Sequence, residues 1–419
     1  MTTHYFHYLI GSSIFILSFF ATIKTSGQAT DSLRNFAPKV FIDCNFCDED
    51  YIRQNITFVN YVRDRKLADV HLMVTEQETG SGGSEFTLAF IGQNKFSNRN
   101  DTLSFNSKQD DTGDEIREKG NQYIMMGLIP YISKTPIAQA ITIDYEEMED
   151  LNAVEDKWNN WVFTMEFDGF FNGQELENSM NIWGSVEAVR ITPEWKIETE
   201  ASLQYATSKY VLENETITGL TSGKYIEALV VKSLNEHWSW GGSFELFSSY
   251  YNNMEMAIEL SPALEYNLFP YSESTRKQLR FLYTVDLEHN TYIDTTLYGK
   301  TEEGLMSQSL AIALGIKQPW GSINASIKGS HYFHDFTLNQ VSLNSRLNFR
   351  LFKGFSVNLW SSAQLIHNQI SLPREEASDE DVLLRQKQLA TQYRYYGSVG
   401  LAYTFGSIYN NIVNPRFGN

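Results

Sequence analysis

Residues 254–268 read MEMAIELSPALEYNL, and this stretch decides the fold class of the chain. Every second residue from Met254 to Leu268 is apolar or proline, and the residues between them are Glu, Ala, Ser or Asn. A period of two predicts a β-strand with one apolar and one polar face. Strands of soluble sheets usually have about five or six residues. A strand as long as this one is typical of strands that cross a membrane at a tilt.

The same alternation recurs along the second part of the chain in about twelve segments. An even number of long strands predicts a closed antiparallel barrel of the outer-membrane type. The segments near Met180 and Tyr225 alternate poorly, so ten or fourteen strands remain alternatives, and a soluble β-sandwich or barrel is the competing fold. The predicted strands begin near Trp161, Met180, Trp195, Tyr225, Trp238, Met254, Leu279, Met306, Trp320, Phe336, Phe355 and Tyr395.

The connections between these segments alternate in length. Short connections follow every second strand, whereas residues 207–223, 288–304 and 371–391 form long polar connections. Short periplasmic turns and long extracellular loops have this rhythm. The pattern places both ends of the barrel, residues 158–406, in the periplasm, together with the preceding domain and the tail at 407–419. Trp158, Trp161, Trp195, Trp238, Trp240 and Trp320 lie near the periplasmic ends, as an aromatic girdle would.

Residues 37–143 have a different pattern, in which short apolar runs alternate with helical periodicity. They predict a small α+β domain with the order βαβββα, including a helix over 48–62 and a second helix over 114–133. The acidic stretch 144–157 is interpreted as a linker. The fold class is therefore mainly β, with a transmembrane barrel after a small α+β domain.

The N-terminus predicts export. Residues 8–23 are almost wholly apolar and Lys24 follows them, so residues 1–29 are interpreted as a signal peptide. A retained anchor is the alternative. The predicted location is the bacterial outer membrane, with the small domain in the periplasm.

Charge limits the possible partners. The chain has 51 acidic and 33 basic side chains and a formal net charge of -18. This balance argues against nucleic acid and against attraction to an anionic lipid surface. The expected partners are outer-membrane lipid around the barrel and a periplasmic protein bound by the small domain.

Two cysteines, Cys44 and Cys47, are the only ones in the chain. In an exported protein a structural disulfide is the favoured interpretation. A metal site and a redox-active pair are the alternatives. Because Asp48, Glu49 and Asp50 follow Cys47, they would raise rather than lower its thiol pKa, which disfavours redox catalysis.

Catalytic motifs are missing from the sequence. It contains no GxSxG elbow and no HExxH helix. His331, His334 and His367 lie near predicted loops, close to Ser330 and Ser371, but no spacing joins a nucleophile to a base. We expect no enzyme activity, no cofactor and no metal.

The polar face of the predicted barrel carries the candidate site. Early strands turn acidic side chains inward, and later strands turn basic ones inward. Such a lumen predicts either a water-filled pore for small solutes or a salt-bridged plug. The alternative is that these polar residues merely solvate or fill the lumen. The candidate lumen-lining residues are Glu166, Asp168, Glu198, Glu200, Glu255, Glu259, Glu265, Arg280, Lys328, Arg346 and Arg350.

Four segments carry a resemblance to a known family. VFIDCNFCDEDYIRQNITFVNYVRDRKLADVHLMVT, FTLAFIGQNKF, EDKWNNWVF and GSVGLAYTFGSIYNNIVNPRF resemble an uncharacterised family of Bacteroidota outer-membrane proteins. The resemblance implies a periplasmic domain ahead of a barrel and transfers no activity. The barrel also faintly resembles the salt-induced outer-membrane proteins, and the small domain is similar in element order to the N-terminal domain of TolB. A solute channel, an envelope scaffold and, less favoured, a surface enzyme are the candidate functions.

Overall fold

The computed structural model describes residues 35–80, 82–143, 156–211, 216–352, 354–374, 388–411, 413, 414 and 416. The predicted signal peptide at 1–29 and most of the predicted linker lie outside these residues. In the described part, no helix has the length and apolar character needed to span a membrane.

The small N-terminal domain is a five-stranded sheet with two helices on one face. Its sheet order is β2-β1-β3-β4-β5, in which β1 is parallel to β2 and β3 and the other pairs are antiparallel. The elements are β1 (Lys39–Asp43), α1 (Glu49–Asn55), β2 (Asn60–Tyr61), β3 (Val70–Glu78), β4 (Ser84–Gly92), β5 (Asn100–Asn106) and α2 (Gly113–Ile132).

The helix predicted over 48–62 is shorter than expected, so the element order gains one strand. The helix α1 ends at Asn55, and Asn60–Tyr61 pairs with β1 instead. Ile56 and Val59 are fully buried in the core between these elements. The apolar positions that were interpreted as one face of a long helix therefore fill the core from an irregular turn and a strand.

The helix α2 is fixed at its start by a capping box. The Thr112 hydroxyl accepts from the Glu115 amide, and the Glu115 carboxylate accepts from the Thr112 amide. Leu128 and Tyr131 on this helix are fully buried against the sheet. Gly127 permits the contact, because a Cβ there would lie 2.0 Å from the Phe90 ring.

The second part of the chain is one sheet of twelve antiparallel strands in sequence order. Expected strand starts at Trp161, Trp195, Trp238, Met254 and Phe355 are confirmed. The strands are β6 (Trp161–Gly173), β7 (Glu177–Ile191), β8 (Trp195–Val211), β9 (Thr216–Ser233), β10 (Trp238–Ser249), β11 (Met254–Asn267), β12 (Lys277–Tyr292), β13 (Glu302–Gln318), β14 (Gly321–Tyr332), β15 (Asn339–Phe352), β16 (Phe355–Ile366) and β17 (Tyr393–Tyr403).

Two sequence interpretations change in this sheet. In the stretch 207–223, expected as a loop, residues 207–211 of β8 instead pair with residues 216–220 of β9 and lengthen both strands. A β-bulge lies between Met254 and Met256, and Met254 is buried rather than on the apolar face. The bulge reverses the side of the first residue, because one extra residue breaks the period of two.

The two faces of the sheet differ as the alternation predicts. Apolar side chains such as Leu203, Leu260, Leu310 and Leu343 are exposed on the apolar face. Carboxylates, serines and asparagines alternate with them and form the polar face. Among the described residues no backbone pairing joins β6 to β17, so these two strands are the edges of the sheet.

Aromatic residues form a girdle at one end of the sheet, where even-numbered strands begin and odd-numbered strands end. We call it the girdle end. Ring centroids of Trp238 and Tyr266 are 4.7 Å apart, and those of Phe352 and Phe355 are 4.8 Å apart. Trp161, Trp195 and Trp320 lie at the same end.

Candidate functional site

A row of glutamates crosses the polar face. Each of six consecutive strands, β7 to β12, carries one glutamate of the row, and these six form five directly opposed pairs between neighbouring strands. Like charges directly opposite each other destabilise a sheet by up to roughly 1 kcal/mol per pair. Because these pairs lower the stability of the sheet, stability alone does not explain why the glutamates are aligned. The members of this acidic row are Glu187, Glu200, Glu227, Glu245, Glu259 and Glu288.

Hydroxyl and amide groups, rather than cations, surround the acidic row. Tyr225 donates its hydroxyl to Glu227 at 2.6 Å, and Ser261 donates to Glu259 at 2.7 Å. Within the described ranges, no member of the row makes an ion pair, whereas neighbouring Glu198 pairs with Lys196 at 2.8 Å. The row thus brings several carboxyl groups to one space without an ion-pair partner among the described residues.

The sheet curls around its polar face. Lys328 on β14 interacts electrostatically with Glu245 on β10, four strands away in the sheet. Arg346 and Arg350 lie on the polar face of β15, and Arg346 is exposed. Basic side chains on β14 and β15 therefore lie on the same polar face as the acidic row.

Most of the predicted site residues share this face. Glu265 pairs with Arg280 at 3.6 Å and accepts from Tyr271 at 2.9 Å. Glu255 is different, because it lies exposed in the bulge beside Met254. The residues on the polar face are Glu166, Asp168, Glu198, Glu200, Glu259, Glu265, Arg280, Lys328, Arg346 and Arg350.

Sequence reasoning missed four members of the acidic row: Glu187, Glu227, Glu245 and Glu288. Two of them lie on β7 and β9, whose alternation is weak, and register between strands is not visible in a single sequence. The available signal was one interior glutamate in each of six successive predicted strands. That regularity could have suggested a row.

The small domain covers the girdle end of the polar face. Arg350 donates two hydrogen bonds to the carboxylate of Asp43, at 2.5 and 2.6 Å. His71, fully buried, contacts the same carboxylate at 3.0 Å. Lys317 at the end of β13 donates to the carbonyl of Val74 at 2.7 Å. The sheet face opposite the helices of the small domain is therefore held against the large sheet.

Charge pairing controls the ionisation of Asp43. Burial raises the pKa of this carboxyl, but hydrogen bonds from His71 and Arg350, with the charge of Arg350, lower it further. The net effect holds the pKa well below its usual range. Asp43 is therefore a carboxylate at any physiological pH.

Contacts on other strands complete the cover. Gln109 donates to Thr164 on β6 at 3.3 Å, so the small domain also reaches the first strand of the large sheet. The tail after β17 also joins the small domain, since Tyr409 forms a bridge with Val62. The small domain thus contacts strands far apart in the sheet.

A loop segment, residues 367–374, covers the opposite end. Asn253 in the β10–β11 turn donates to the carbonyl of Ser371 at 2.8 Å, and the Leu297 amide donates to Leu372 at 2.8 Å. Ile370 and Leu372 are buried. Both ends of the space along the polar face are therefore covered.

The two cysteines form a disulfide bond between Cys44 and Cys47. It closes the loop between β1, which ends at Asp43, and α1. Because Cys44 is buried in the core of the small domain, the bond fixes the loop next to the Asp43 contact. A structural role fits this position.

The catalytic candidates do not assemble. His331 contacts the side chain of Gln308 at 2.8 Å, and His367 contacts Asn339 at 3.2 Å. No serine is hydrogen-bonded to a histidine side chain in the part of the chain described. That part also holds no group of three or more His, Cys, Asp or Glu placed to bind a metal ion.

Comparison with known proteins gives little further guidance. No protein-family model matches the sequence, and a search of curated proteins found no match. The translocator domain of the autotransporter NalP from Neisseria meningitidis is similar in structure over 58% of this chain and 87% of that domain. The two are 11% identical, with a TM-score of 0.22, which is too low to support an argument about fold or function.

Proposed function

We propose that this chain is an outer-membrane β-barrel that conducts small cations, with covers at both ends that open part of the time. The observation that carries the proposal is the acidic row. Rings of carboxylates are the usual device for cation selectivity in channels. A structural plug would instead place a cation beside each carboxylate.

The membrane setting is part of the same proposal. Strands of 11 to 18 residues, an exposed apolar face and an aromatic girdle suit a bilayer. In lipid, the unpaired backbone groups of β6 and β17 would be costly, so these edges would pair and close the barrel. The small domain would then lie in the periplasm, as the resemblance to the Bacteroidota family implies. We propose no enzyme activity and no cofactor.

The test is the reversal potential of full-length protein in a planar bilayer under a salt gradient. We expect cation-selective steps in the wild type. The double variant Glu227→Gln and Glu245→Gln should lose much of that preference, because two central carboxylates of the row become neutral.

Glu85→Gln with Glu118→Gln is the matched control, since both are exposed on the small domain. It should leave selectivity unchanged. If folded, inserted protein gives no steps, or if both double variants behave alike, the channel proposal is wrong. The scaffold alternative would then be favoured.

A further inference from the structure

Three cations lie close together in the turn after β2. Arg63, Arg65 and Lys66 flank Asp64, and we call residues 63–66 the basic turn. Arg63 and Lys66 are exposed, and none of the three makes an ion pair within the described ranges. Asp64 uses one oxygen to accept from the Lys66 amide at 3.0 Å. The turn therefore carries a net positive charge in a chain that is acidic overall.

The basic turn lies beside the girdle. It lines a cleft of about 390 Å³ together with Phe352 and Phe355 of the large sheet and Thr404, which follows β17. The Arg63 amide donates to the carbonyl of Ile408 at 3.3 Å, which holds the turn at this level. The basic turn is thus held beside the stacked Phe352 and Phe355 rings, which line the same cleft.

The other charges in the cleft are already paired. Arg53 bonds Glu49 and Asp50, and Arg350 bonds Asp43. The cations of the basic turn are therefore the charges in the cleft that remain available to bind a ligand. The cleft therefore suits an anionic group placed next to the exposed ring of Phe352.

We propose that the basic turn binds the phosphate of an anionic phospholipid in the leaflet next to the small domain. The inference rests on the proposed membrane location. Aromatic girdles lie at the level of lipid headgroups. Lysine and arginine near a membrane surface attract anionic lipids, and guanidinium groups bind phosphate in a planar, bidentate manner. The acidic average of the chain does not prevent this, because such attraction falls off within a Debye length.

The experiment compares lipid retention by native mass spectrometry. Full-length protein in detergent is titrated with phosphatidylglycerol, and the variant Arg65→Gln with Lys66→Gln is measured beside it. We expect the tightest lipid to bind about 30-fold more weakly to the variant, from the loss of two surface cations. Phosphatidylcholine should be retained weakly by both.

Lys95→Gln with Lys134→Gln is the charge-matched control, because both side chains are exposed and neither lines the cleft. It should retain phosphatidylglycerol like the wild type. Equal retention by the basic-turn variant would overturn the proposal. Displacement of the lipid by millimolar inorganic phosphate would show a site for free phosphate and would also overturn it.

The lipid proposal and the channel proposal can fail independently of each other. Cation selectivity is read from bilayer recordings and depends on the acidic row, whereas lipid retention depends on the basic turn. A variant that loses the lipid but keeps its selectivity supports the lipid site alone. Failure of the protein to insert into any bilayer would contradict the membrane setting of both.

Discussion

Asp43 joins the two parts of the chain through a charge that is almost completely buried. Its carboxylate accepts from Arg350 of the large sheet and contacts His71 of its own sheet. Removing one partner of such a pair is costly, because the other charge loses its compensation. The contact therefore decides how firmly the small domain is held.

The variant Asp43→Asn should weaken the docking of the small domain by about 3 kcal/mol. The amide cannot neutralise Arg350, although it nearly keeps the shape of the side chain. Hydrogen exchange of β1 and β3 amides in the full-length protein measures the effect. Asp110→Asn, at an exposed position, is the control and should leave exchange unchanged.

The same contact predicts a dependence on pH. Because the pKa of Asp43 is lower in the folded protein than in the unfolded chain, its contribution is fully present above the ordinary carboxyl value of about 4. It should be lost only as the pH falls below that value towards the folded-state pKa. The protection factors of the β1 amides, which correct for the intrinsic effect of pH on exchange, should therefore be constant from pH 7 to 5. Loosening within that range would contradict the assignment.

At the scale of the element, the acidic row sets the proposed cation selectivity against the stability of strand pairing. Glu200 on β8 is opposed by Glu187 on one side and Glu227 on the other. Each strand pair tolerates this because the rest of its register is well matched, with apolar side chains alternating on the other face. The regular pairing of the other residues therefore offsets the stability that the row removes.

Glu200→Gln should therefore stabilise the protein while it lowers cation selectivity. Two like-charge pairs disappear, which we expect to raise the free energy of unfolding by roughly 1 kcal/mol. Urea unfolding in detergent, monitored by tryptophan fluorescence, measures the change. Glu194→Gln in the short turn before β8 is the comparison. A loss of stability in Glu200→Gln would contradict the like-charge interpretation.

The whole molecule is closed by contacts between distant segments. The small domain covers the girdle end, and residues 367–374 cover the other end by way of Asn253. Asn253 has a φ of 59°, where asparagine and glycine are tolerated. Asn253 thus forms the turn through its backbone conformation and anchors the covering loop through its side chain.

Asn253→Gly should open the loop end without straining the turn. The glycine keeps the backbone conformation and removes the hydrogen bonds to Ser371 and Asp294. We expect more frequent or larger steps in single-channel recordings. The adjacent Asn252→Gly is the matched control, and a similar response from it would show a general loosening of the turn instead.

The sequence by itself determined the strands, because alternation with a period of two is a local property of each segment. It was enough for a mainly β fold of twelve strands, for the girdle tryptophans and for the disulfide between Cys44 and Cys47. Prediction from the sequence was less accurate where two local patterns compete, as in the helix expected over 48–62. Burial of Ile56 and Val59 overrode helical periodicity there.

Only the tertiary structure decided which residues meet. Register aligned six glutamates into one row, although each is unremarkable in its own strand. Folding also brought Asp43 to Arg350 across 307 residues and turned Met254 inward at a bulge. These contacts join residues that are far apart along the chain. Because no repeating pattern in a single sequence records such pairings, they could not be predicted from it.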